Sequence, residues 1–169
     1  MIQSLRLRLG GTSNINTHLL SMGILVLLQI KARVKVLDYF TEKMLLLKYI
    51  CEGTMCQFIK LQNENYTIFC IYISKGCKFK EVVENLRNYG FNNKAFLIGD
   101  LNYDANEKND LTKYLKSLNL VQIVKRTTHV EGHILDHVYV PQAMVKRIGI
   151  NHQYNFYSDN DGISVKVSN

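Results

Sequence analysis

Three short stretches decide how this chain is read: Gly99-Asp100-Leu101-Asn102, Ile134-Leu135-Asp136-His137-Val138-Tyr139-Val140 and Tyr157-Ser158-Asp159-Asn160-Asp161-Gly162-Ile163. In each, an acid sits beside an apolar, strand-like run. A carboxylate at a strand end is held rigidly yet can project into a cleft. Asp100 could therefore orient or deprotonate a water, or hold a divalent metal. Asn102 could donate its amide to an anionic oxygen, although Gly, Asp and Asn are also ordinary turn formers. Asp136 is read as lying inside an apolar strand, where a carboxylate is costly unless paired or hydrogen-bonded. The period-two rule sends His137 to the opposite face, so it reads as structural or surface. His129 and His133 flank the same segment with no role fixed. The acids around Asp159 offer hard oxygen ligands for a metal, but taken alone they read first as a polar turn before the last strand.

Working outward, short and often β-branched apolar runs predict strands over 23–30 and 32–40. In the second, Lys31, Arg33 and Lys35 alternate with Ala32, Val34 and Val36. Residues 55–61 and 66–73 read as a hairpin. Phe79, Val82, Val83 and Leu86 fall at i, i+3, i+4 and i+7, which predicts a helix that Gly90 can close. Residues 94–98 form a short buried strand running into Gly99-Asp100. Leu111, Tyr114, Leu115 and Leu118 predict a second helix, capped by Asn109 or Asp110. Strands follow near 121–125, 134–140, 147–150 and 164–167. Strands with two interposed helices fit a two-sheet core with helices packed outside.

The chain has 169 residues, enough for one domain with a real core. With 47% hydrophobic and 21% charged residues it is not a disordered chain. The net charge of +7 and pI near 9.2 favour a polyanionic partner, nucleic acid first. Cys51, Cys56, Cys70 and Cys77 show no metal-ligand spacing and read as reduced, buried thiols. The longest apolar run, Leu19 to Ile30, is too short to span a bilayer, so no membrane association is expected.

The ordered set GDLN, ILDHVYV and YSDNDGI resembles the endonuclease/exonuclease/phosphatase superfamily. It is especially similar to the endonuclease-like domains of retrotransposons and other transposable elements, over residues 23–167. Gly23-Ile24-Leu25-Val26 resembles the family's glycine-led early strand. Ile71-Tyr72-Ile73-Ser74 resembles the strand end that brings a Tyr to the phosphate. The resemblance implies an α/β (α+β) fold, a four-layer sandwich of two mixed sheets flanked by helices. It also implies Mg²⁺-assisted hydrolysis of nucleic-acid phosphodiester bonds. By position, Asp100 would activate the water, Asn102 would hold the phosphate, Tyr72 would contact it, and Asp136 would orient a catalytic His. Asp159 would support the metal and the His; Asp100 and Asp159 are the metal candidates. Basic residues would track the backbone: Lys31, Arg33, Lys35, Lys75, Lys78, Lys125 and Arg126. The expected partner is nucleic acid, DNA ahead of RNA. Lineage and charge suggest an intracellular protein, with the nucleus as one candidate location.

Two departures bear on activity. The family's His follows the Asp of a Ser-Asp-His triplet, and here that position is Asn160, which cannot carry a proton. The family's first strand–helix–strand unit, with its metal-binding Glu, has no match in residues 1–22. These residues are expected to be a poorly organised leading segment before a partial, truncated domain over 23–169. The expected function is an endonuclease-type phosphodiesterase that is impaired or inactive. The alternatives are a non-catalytic nucleic-acid-binding remnant and, further off, an inositol or lipid phosphatase-like domain.

Overall fold

A computed structural model describes residues 6–9, 28–29, 34–37, 45–47, 55–62, 66–153, 159 and 161–168. In the first four stretches and at Gln153 it describes the backbone alone. Lys31, Arg33, Cys51, Asn160, the stretch 23–26 and the side chain of Lys35 lie outside the described residues.

Within the leading segment, Arg6–Leu9 forms β1. It pairs antiparallel with β3 (Val34–Leu37), which also pairs with β2 (Leu28–Gln29). The principal sheet is six-stranded and mixed. Its members are β4 (Leu45–Leu47), β5 (Cys56–Gln62), β6 (Thr67–Ile73), β7 (Ala95–Asp100), β8 (Leu120–Gln122) and β9 (Asp136–Pro141). Their order across the sheet is β4-β5-β6-β7-β9-β8. Only β6 and β7 run parallel, and helix α1 (Phe79–Asn88) supplies the crossover that a parallel pair needs. The predicted hairpin is β5–β6. A further antiparallel pair, β10 (Ile148–Gln153) with β11 (Gly162–Val167), forms the opposing sheet.

Side-chain alternation divides the core into two. Phe58, Phe69, Ile71, Ile73 and Leu97 point to one face, where Val82, Val83 and Leu86 of α1 cover them. Leu111, Tyr114 and Leu115 of α2 (Asp110–Ser117) complete that cover. Ile59, Leu61, Cys70, Ile98, Val138 and Val140 point the other way, against Ile163 and Val165 of β11. The mixed α+β architecture thus sets the six-stranded sheet against the β10–β11 pair, with α1 and α2 outside the larger sheet. Both helix predictions hold. Gly90, at φ +78, closes α1 in the left-handed conformation. Asn109 caps α2: its Oδ1 accepts the Thr112 N–H at 2.9 Å while Thr112 Oγ1 accepts the Asn109 N–H at 2.9 Å.

One expectation is corrected. Asp136 does not lie in mid-strand; it is the first residue of β9. Ile134 and Leu135 approach it as an irregular segment, tied down where the Leu101 N–H meets Leu135 O at 2.9 Å and the Ala105 N–H meets Ile134 O at 3.0 Å. The acid therefore lies at the sheet's end and not in its middle.

Gly99 lies opposite Ile71 in the parallel β6–β7 pair. Its φ is +157, and a Cβ there would lie 1.7 Å from the Ile71 carbonyl oxygen. No side chain can occupy that space without separating the strands. Gly99→Ala is expected to destabilise the fold by about 3 kcal/mol or more, or to abolish folding. Gly149→Ala, where a Cβ meets nothing within 4 Å, should change stability by less than about 1 kcal/mol. Urea unfolding of the two variants checks the contrast.

Candidate functional site

Strand register assembles the site. Tyr72 of β6 pairs with Asp100 of β7, and Asp100 pairs with Asp136 of β9. Directly opposed residues project to the same face, so the three form a row across adjacent strands. That face is the one packed against the β10–β11 sheet, because Ile98 and Val138, two residues away, belong to the inter-sheet core. The row lies where β6 and β7 end and β9 begins, so the loops after β6, β7 and β8 all emerge there.

Asn102 is drawn into this end by two bonds. Its backbone N–H meets Asp100 Oδ1 at 3.0 Å, and its side-chain Nδ2 donates to Ile73 O at 2.8 Å. It adopts φ +50, which Asn tolerates better than most residues. One amide hydrogen is therefore committed to the backbone and one remains.

Asp136 is 1% exposed, and its Oδ2 has no hydrogen-bond partner. Burial is the main cause that raises its pKa, to about 8. The Asp100 carboxylate adds to the rise, as do Asp161 and Asp159 more weakly, while a hydrogen bond from Thr128 opposes it. Thr128, also buried, is a site residue that sequence reading missed. Its Oγ1 accepts the backbone N–H groups of Leu135 at 3.0 Å and Asp136 at 3.1 Å. Nothing marks it in the sequence, since a Thr in a polar loop is commonplace.

The turn carrying Asp159 is bound to the loop before β9. The Val130 N–H donates to Asp159 O at 3.0 Å and the Asp161 N–H to Thr128 O at 2.8 Å. His129 lies between these bonds, with Nε2 3.7 Å from Asp159 Oδ2. His133 instead meets Asp104 at 3.0 Å on the exposed side. His137 is buried on the opposite face, as its sequence position predicts. Its Nε2–H is shared between Tyr103 O at 3.0 Å and Ile134 O at 2.9 Å. Burial pushes its pKa down to about 4, so at neutral pH it is an uncharged clamp between two site loops.

Of the basic candidates, Lys75, Lys78, Lys125 and Arg126 are described and exposed. Lys75 and Lys78 follow the end of β6, and Lys125 and Arg126 follow β8, so all four lie at the site's end of the sheet. Lys78 is 3.6 Å from Glu81, and Lys125 donates to Gln122 O at 3.0 Å.

Mg²⁺ prefers octahedral oxygen coordination, commonly one or two carboxylates plus waters and substrate phosphate. Among the described residues, no three His, Cys, Asp or Glu side chains converge as a ligand set. Asp100 and Asp159 therefore do not complete a metal site of their own. Among the described residues, no helix is long and apolar enough to cross a membrane.

No family model matches the chain, and no curated protein sequence matches it. A solved structure does: the endonuclease domain of TRAS1, a telomere-specific non-LTR retrotransposon. The TM-score is 0.57 at 16% identity, over 83% of this chain and 75% of that one. The chain has the fold of an endonuclease domain. A beta toxin from Staphylococcus aureus also aligns, with TM-score 0.39 and 11% identity over 69% of this chain and 58% of the toxin, too loosely to add to that. In this endonuclease-type fold the row of Tyr72, Asp100 and Asp136 lies at the loop-bearing end between the two sheets.

The raised pKa of Asp136 has a signed consequence. Below about pH 4 the carboxyl is protonated in both folded and unfolded chains and costs nothing. As pH rises toward about 8, the unfolded chain ionises first and stability falls. Asp136→Asn should therefore stabilise the fold, by at least about 2 kcal/mol more near pH 8 than near pH 4. Urea melts at the two pH values measure this; a gain independent of pH would mean that Asp136 ionises normally.

Proposed function

We propose that this chain is a nuclease-type phosphodiesterase domain that engages the nucleic-acid backbone and hydrolyses it poorly. The observation that carries this reading is Asp136: a buried carboxylate, in register with Asp100, whose Oδ2 has no partner. A carboxylate that orients a histidine is buried to a purpose; with Asn160 at the family's His position, that purpose is lost. Asp100 would orient the attacking water, and the remaining amide hydrogen of Asn102 and the Tyr72 hydroxyl would hold the phosphate. Asp159 would buttress the loop beside them. Lys75, Lys78, Lys125 and Arg126, with Lys31, Arg33 and Lys35 from the earlier segment, would contact the flanking phosphates. DNA is the preferred partner, on the lineage of the matched fold, and a nuclear location follows from that partner. Mg²⁺ is the metal this lineage implies, and no catalytic step here depends on placing it.

A second reading, binding without hydrolysis, is favoured by the exposed basic residues at the same end of the sheet. Nicking of supercoiled plasmid, with Mg²⁺ and with chelator, separates the two. The parent should nick slowly, Asn160→His should gain about 10²-fold or more, and Asp100→Ala should abolish both. Binding of duplex DNA should weaken steeply as salt rises. A parent as fast as Asn160→His would overturn the impairment. Absence of nicking in both, with salt-sensitive binding, would establish the binding module.

A further inference from the structure

The acid-lined end of the sheet repels phosphate unless hydrogen-bond donors face it. Asn102 has spent one of its two amide hydrogens on Ile73 O at 2.8 Å. His129 offers another. It is held against the Asp159 turn by the two backbone bonds on either side of it, Val130 N–H to Asp159 O and Asp161 N–H to Thr128 O. The side chain is only 14% exposed, so the ring is fixed. Its Nδ1 accepts the Glu131 N–H at 3.2 Å, which leaves Nε2 as the ring nitrogen that carries the proton. Nε2 stands 3.7 Å from Asp159 Oδ2, within ion-pair range but beyond hydrogen-bond reach, and Nδ1 3.9 Å from a Glu131 carboxylate oxygen, so the Nε2–H has no hydrogen-bond acceptor among the described residues. The preceding residue, Thr128, binds the backbone of Asp136, which ties the loop to the row of acids.

We propose that His129 is a substrate-contacting residue whose Nε2–H donates to a phosphate oxygen of the bound backbone, where position 160 provides no histidine. This rests on the phosphodiesterase reading above, and supplies from a different loop a donor for the impaired site. Asn and Gln dissect the two ring nitrogens. Asn at 129 can keep the acceptor for Glu131 N–H but has no donor at the reach of Nε2. Gln at 129 carries an N–H at that reach.

The test is single-turnover plasmid nicking with Mg²⁺ by the parent, His129→Asn, His129→Gln, Asn160→His and Asn160→His/His129→Asn. The expected result is a loss of about tenfold or more for His129→Asn and recovery of most of it by His129→Gln. In the Asn160→His background, where the restored ring takes the contact, His129→Asn should cost less than about threefold. Equal losses in both backgrounds, or no rescue by Gln, would make His129 a structural residue and overturn the proposal. Nicking by Asn160→His beside an inert parent would also overturn it, while leaving the phosphodiesterase reading intact. If none of the five proteins nicks, the hydrolytic reading itself fails. Thermal melts of the His129 variants show whether each is folded; if His129→Asn is not, the rescue comparison passes to His129→Leu against His129→Gln.

Discussion

The close approach of Gly99 to the Ile71 carbonyl governs the rest of the site. It lets β7 lie against β6 in parallel register at the point where both strands end. That register sets Asp100 beside Tyr72, and the next pairing sets Asp136 beside Asp100. A slip of one residue in either pair would turn an acid to the helix face, because side chains alternate with period two. The glycine thus fixes the position of a carboxylate that it never touches. The bond from Asn102 to Ile73 O then pins the loop after β7 back onto the end of β6, so the row is secured from both sides.

The row is expensive. A buried carboxylate next to a second one favours its neutral form, and Asp136 has its pKa moved to about 8 by burial and by Asp100. At neutral pH Asp136 therefore carries a proton for much of the time and acts as a donor or a silent group, not as a base. On the opposite face, His137 is held uncharged by burial and bridges Tyr103 O and Ile134 O. The two neighbours in sequence thus resolve the same problem, an ionisable group without water, in opposite ways. His137 finds carbonyls for its Nε2–H, while its Nδ1, like Asp136 Oδ2, has no hydrogen-bond partner among the described residues. A group that has been left unsatisfied in a native core calls for an explanation, and the proposed function offers one for Asp136.

Much of this was legible from residue pattern. The i, i+3, i+4, i+7 stripes located both helices, and Asn109 and Gly90 marked their boundaries through physics local to a few residues. Period two placed His137 on the far side of the strand from Asp136. What pattern did not reveal is long-range and made by backbone atoms. Thr128 matters because its hydroxyl accepts N–H groups seven and eight residues away. His129 is positioned by bonds from its neighbours to Asp159 and Asp161, some thirty residues on. Such bonds depend on main-chain geometry and leave no residue-type signature. The placement of Asp136 was misjudged for a related reason: Ile134 and Leu135 have strand-like composition, but their carbonyls are taken by Leu101 and Ala105 of the loop after β7.

Charge at the sheet end is arranged in two zones, and this constrains what can bind. Asp100, Asp159 and Asp161 are all close enough to Asp136 to raise its pKa. Exposed Lys75, Lys78, Lys125 and Arg126 emerge from loops at the same end. A small free anion gains little here, since the acids at the centre repel it and the exposed lysines are hydrated. A polyanion differs: its flanking phosphates can meet the basic loops while one phosphate is carried over the acids. The work of bringing that phosphate in is then supplied by contacts elsewhere on the same chain of charges, which is how remote binding energy serves a reacting centre. Under the proposed function, such an arrangement suits an extended polyphosphate backbone better than a single phosphomonoester.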